Sequence, residues 1–142
     1  MLVTTSPSTH EARAIEWLSA SIMLVWGITL ALPGESIAQP HFSAFRDAHL
    51  TEGMMAAVFA VVGSARVVAL YINGRWPKSP IVRIIGATAG AVLWTQVAWY
   101  LCAGTWLLSG IPNAGVGTYA ALAIADLFSI SRAAFDARYH RS

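Results

Sequence analysis

Residues 53–72 read GMMAAVFAVVGSARVVALYI, an apolar run broken by one charge, Arg66. At about 1.5 Å per residue a helix of this length covers about 30 Å, the thickness of a bilayer's hydrocarbon core. The stretch predicts a transmembrane helix, and Asn73 with Gly74 supplies its end, since both residues tolerate left-handed backbone geometry. Three more runs have the same character. One extends from about Ile15 to Leu32 and stops at Pro33 and Gly34; another begins behind Pro80 and reaches about Trp106. The last starts near Gly117, after a turn at Pro112, Asn113 and Gly115, and continues as helix through Arg132.

Composition agrees with this reading. The 142 residues are 56% hydrophobic and 11% charged, whereas a soluble domain carries about 25% charged residues. In lipid, backbone amides must be paired within a helix or a closed barrel, and the alternation a barrel needs is absent. The expectation is an all-α, integral membrane four-helix bundle, a single membrane domain over 1–142 with spans at about 15–32, 53–72, 81–106 and 117–132.

Basic residues set the orientation. Arg75, Lys78 and Arg83 flank the second loop, Arg132, Arg138 and Arg141 follow the fourth span, and Arg13 precedes the first. Only Arg46 falls in the other loops. The positive-inside rule then places both termini in the cytoplasm. Signal-peptidase cleavage after the small residues Ser36 and Ala38 is the competing reading and would leave three spans. Against it, the apolar run exceeds the roughly 7–15 residues of a signal core, and Glu11 and Glu16 spoil the basic leader.

Several function classes are excluded by what is missing. A lone Cys102 makes no intramolecular disulfide, CxxC centre or cysteine-rich zinc site. His10, His41, His49 and His140 all fall outside the spans, so bis-histidine haem ligation between helices is not available. His41, His49 and Glu52 share loop surface but lack further ligand spacing, and no metal is expected. No phosphate loop, HExxH or GxSxG occurs, so neither catalysis nor a cofactor is expected. The net charge of +2 follows from topology and calls for no nucleic acid.

Helices in a bilayer associate through close backbone approach and polar contacts. Ala56, Ala60 and Ser64 recur every four residues in the second span, and Gly86 with Gly90 forms a GxxxG in the third. These serve either packing within one bundle or, for the glycine pair, a contact between copies. Arg66 and Asp126 lie inside apolar runs, where a charge costs about 2.5–3.5 kcal/mol on the mildest scale. They precede the cytoplasmic ends of their spans by similar distances, which predicts a buried ion pair. An Asp126 that titrates or binds a cation, and an Arg66 that snorkels to the phosphates and leaves Asp126 to Arg83, are the alternatives. Gln96 is expected to hydrogen-bond across the bundle. Trp17, Trp76 and Trp106 read as interfacial anchors, and Trp26, Trp94 and Trp99 as packing. Phe42, Phe45 and His49 suggest a short helix lying on the outer surface.

The string Ala65-Arg66, Leu70-Tyr71-Ile72-Asn73-Gly74, Ser79-Pro80, Arg83, Asp126 and Arg132-Ala133 resembles small uncharacterised four-span membrane proteins of tailed bacteriophages and prophages. That resemblance implies a host inner-membrane location and a role in lysis or phage exclusion, and it transfers no catalytic residue. Three functions follow: a holin-like pore former acting through helix association, a non-catalytic accessory or regulatory subunit of a larger membrane complex, and a small ion-coupled transporter using Asp126. The partners implied are the lipid bilayer and either further copies of the chain or a larger membrane protein.

Overall fold

The computed structural model describes residues 8–72 and 79–139, with side chains within 14–72 and 81–135. Asn73, Gly74, Arg75, Trp76 and Lys78 lie outside the described residues. The described residues are 89% helical and include no strand. Four long helices, α1 (Ser8–Ala31), α3 (Glu52–Ile72), α4 (Ser79–Ser109) and α5 (Ala114–Tyr139), are joined on one side by a loop holding the short α2 (Ser43–Asp47). Each long helix contains a stretch long and apolar enough to cross a membrane.

The helices pack as two close pairs, α1 with α3 and α4 with α5; the pairs meet mainly where α3 faces α4, while α1 touches α5 more sparsely. Helical periodicity explains which residues go inside. Buried positions on α1 run Glu16, Ser19, Met23, Gly27 and Leu30, and those on α4 run Arg83, Ala87, Gly90, Trp94, Val97, Leu101 and Thr105. On α5 they are Ala123, Asp126, Ser129 and Ala133. Outward-facing residues are large and apolar: Val61 is 67% exposed, Phe128 65% and Leu107 77%. A soluble monomer seldom shows so continuous an apolar exterior, and lipid contact accounts for it.

Small residues set the closeness of α1 and α3. A Cβ on Gly27 would overlap the backbone of Ala60, and one on Gly63 would come within 2.6 Å of the Leu24 amide nitrogen. Ala56 is buried and Ala60 half-buried along this seam, but Ser64 points outward. The residue that completes the close approach is Gly63, one position earlier, because the interior stripe on α3 runs Ala56, Phe59, Gly63, Arg66 at helical spacing.

At the loop end, α4 continues to Ser109, past the expected Trp106. The Thr105 and Ser109 hydroxyls donate back to the carbonyls of Leu101 and Thr105, and Gly110 at φ 67° provides the left-handed cap. Asn113 then caps α5, its Oδ1 accepting from the Gly115 amide at 2.8 Å. The long loop does not lie flat on a surface. Phe45 is 1% exposed and its ring sits 5.1 Å from that of Tyr100, so α2 folds back onto α4. His49 closes α2 in a left-handed conformation, φ 57°, with the His49 and Leu50 amides donating to Arg46 and Phe45 carbonyls. This is the Schellman pattern, usually closed by glycine. Arg46 ties the loop further by donating to the Ile37 and Gln39 carbonyls.

Overpacking a helix seam costs typically about 1–3 kcal/mol. Gly27→Leu and Gly63→Leu should therefore each lower the melting temperature of the detergent-solubilised protein. Gly53→Ala and Gly117→Ala, whose added Cβ atoms would meet open space, should not.

Candidate functional site

Among the described residues four charged side chains lie in the interior, and all four are engaged. Arg66 of α3 meets Asp126 of α5 through two parallel contacts, Nη1 to Oδ2 at 2.9 Å and Nη2 to Oδ1 at 2.5 Å. Arg83 of α4 meets Glu16 of α1 in the same forked fashion, Nε to Oε2 at 2.9 Å and Nη2 to Oε1 at 2.5 Å. Asp126 is completely buried and the other three are 4–9% exposed. The planar guanidinium fork matches carboxylate geometry, which makes arginine the suitable partner for a buried acid. Each long helix thus contributes one member of a pair.

The surroundings of Arg66 explain the GxxxG of α4. A Cβ on Gly90 would overlap both Arg66 Nη1 and Asp126 Oδ2, and one on Gly86 would lie 3.0 Å from Arg66 Cγ. The two glycines form the floor on which the arginine lies. Gly90 is buried and Gly86 half-buried, and both meet the Arg66 side chain. From α1, Ser19 Oγ accepts from Arg66 Nη1 at 3.4 Å, and the Met23 sulfur lies 4.0 Å from the same nitrogen. Glu16 and Ser19 are three residues apart on α1, as are Arg83 and Gly86 on α4, so the two pairs occupy adjacent helical turns. A cleft of about 20 Å³ touches Glu16, Arg66, Arg83 and Gly86, about the room one water needs.

Toward the loop end, the charge layer gives way to aromatic rings. Trp26 Nε1 donates to Tyr119 Oη at 3.1 Å, and Trp94 stacks on Tyr119 with ring centroids 5.6 Å apart. Phe59 packs against both tryptophans. The Trp94 indole N–H is buried with no hydrogen-bond partner. This dry plug lies between the charges and the loop.

Three residues occupy environments other than those expected from sequence. Arg83 engages Glu16 and not Asp126. Gln96 is exposed, has no hydrogen bond among the described residues, and lines a shallow apolar groove with Phe45, Met54 and Leu93. At about 100° per residue it lies well round the helix from the buried Trp94. Trp99 is 71% exposed and faces outward instead of packing. Among the described residues no group of three His, Cys, Asp or Glu side chains gathers as a metal site. Comparison with known protein families, curated proteins and solved structures gives no match.

Breaking a buried pair by removing one member costs about 3–5 kcal/mol, whereas replacing both with apolar groups of similar volume is often neutral. Arg66→Met alone should sharply reduce thermal stability in detergent, and Arg66→Met with Asp126→Leu should recover most of the loss. Gly90→Ala should be damaging even though alanine is the better helix former, because its methyl group would displace the guanidinium; Gly117→Ala is the matched control.

Proposed function

We propose that this chain is a non-catalytic accessory subunit of an inner-membrane complex, a four-helix bundle with both termini in the cytoplasm that acts by binding other transmembrane helices on its outer face. The observation that carries this reading is the contrast between interior and exterior. The four buried charges are spent on one another inside, while the Gln96 carboxamide faces outward from α4 with no hydrogen-bond partner among the described residues. A carboxamide in hydrocarbon gains from hydrogen bonding to a neighbouring helix, and such contacts guide association in bilayers. The partner helix comes from a larger membrane protein or from a second copy.

A holin-like lesion former, which the phage resemblance implies, would have to part both ion pairs to offer a polar lining. A transporter reading draws support from one feature, the water-sized cleft touching Glu16, Arg66 and Arg83. The aromatic layer of Trp26, Phe59, Trp94 and Tyr119 stands across any route from that cleft toward the loop end.

Regulated expression in a bacterial host separates these activities. An accessory subunit leaves the membrane potential unchanged and migrates in a larger complex on native gels of solubilised membranes, and Gln96→Leu releases it from that complex while melting normally. Abrupt loss of potential on induction establishes the lesion former instead. Proton-dependent uptake that disappears in Asp126→Asn establishes the transporter.

A further inference from the structure

Between α5 and the start of α1 runs an open groove of about 740 Å³, lined by Ile15, Ala121, Ile124, Ala125, Phe128, Ser129, Ser131 and Arg132. Its walls change character along their length. From Ala121 to Phe128 they are apolar, and at the far end they carry two hydroxyls and a guanidinium. The hydrogen bond from Trp26 to Tyr119 closes the α1–α5 seam beyond Ala121, at the apolar end of the groove.

Arg132 differs from the two interior arginines. It is exposed and has no ion pair among the described residues, while Glu16 and Asp126 are held by Arg83 and Arg66. Ser129 and Ser131 donate to the Ala125 and Phe128 carbonyls and, being neutral, supply no counter-charge to Arg132. The distance from Ala121 to Arg132 along α5 is about 16 Å at 1.5 Å per residue, close to half of a hydrocarbon core about 30 Å thick. One leaflet's depth of apolar wall therefore ends at an unpaired cation, where the headgroups of that leaflet lie.

We infer that this groove is a phospholipid site, in which an acyl chain lies along Ala121, Ala125 and Phe128 and the anionic headgroup phosphate pairs with Arg132. The charge complementarity identifies a phospholipid with a net-anionic headgroup, and the position of Arg132 identifies the leaflet from which it comes. Basic positions between transmembrane helices on the cytoplasmic side bind anionic headgroups by this chemistry. The site needs only that the helices sit in a membrane and is independent of any protein partner.

The test is native mass spectrometry of the full chain in detergent, with dioleoyl phosphatidylglycerol and dioleoyl phosphatidylcholine added in equal amounts. The wild type should retain one phosphatidylglycerol per chain and little phosphatidylcholine. Arg132→Gln should weaken phosphatidylglycerol retention about tenfold, the scale of one charge-assisted hydrogen bond. Ala121→Phe, which fills an exposed stretch of the groove, should abolish retention of both lipids; Ile124→Trp serves the same purpose if the first variant melts early. Ile85→Phe, on an exposed position of α4, should bind as wild type. Equal retention of the two lipids with no effect of Arg132→Gln would mean annular lipid only and would overturn the assignment. Failure of the wild type to retain either lipid, or normal retention in both groove-filled variants, would also overturn it.

Discussion

An arginine and an aspartate in hydrocarbon are tolerable only when each supplies the other's counter-charge at contact distance. Arg66 and Asp126 meet that condition through two parallel hydrogen bonds, and much of the interior is arranged around them. The guanidinium needs room that a side chain on α4 would take, so Gly86 and Gly90 stand opposite it. Those glycines leave room for the guanidinium between α3 and α4 at the tail end, while the adjacent turn holds the second pair between Arg83 and Glu16. Desolvating ions costs several kcal/mol each, and good forked geometry is what offsets it. The pairs consequently fix helix rotation more than they add stability.

That arrangement divides the molecule into an inside with strong polar specificity and an outside with almost none. The inside is layered along the helices: charges and small residues near the tail end, then a cluster of four aromatic rings, then the loop packed through Phe45 and Tyr100. The outside offers apolar side chains to lipid, interrupted by the Gln96 carboxamide and by Arg132 at the mouth of the α1–α5 groove. Interaction with other membrane components must use this exterior, because the interior is closed by its own contacts.

Much of the secondary structure is readable without coordinates. Helix ends carry their breakers in plain sight at Pro33, Pro112 and Asn113, and the 53–72 run is too long and too apolar for anything but a buried or lipid-embedded helix. Less legible was the role of small residues. Alanine, glycine and serine at four-residue spacing look alike in a string, yet Ala56 is buried, Ser64 faces out and Gly63 makes the close contact. Glu16 read only as an acid that spoils a basic leader, and its partner Arg83 as one of the basic residues flanking the second loop. Both lie in the first turn of their apolar runs, and the rotation of α1 and α4 turns them toward each other. His49 attracted attention as a loop histidine; its left-handed backbone at the end of α2 is a property of the turn and leaves no trace in spacing.

By itself, the sequence determined that the chain is helical and that four of its stretches are long and apolar enough to cross a membrane, since length and hydropathy are properties of contiguous residues. It also determined which side chains carry charge that would need partners there. Only the tertiary structure decided which charges meet, which glycines make room for them, and that Gln96 and Trp99 face outward. These outcomes depend on the rotation of each helix about its own axis. A single residue turns the direction by about 100°, so rotation is set by the contacts of all four helices together and by no one of them alone.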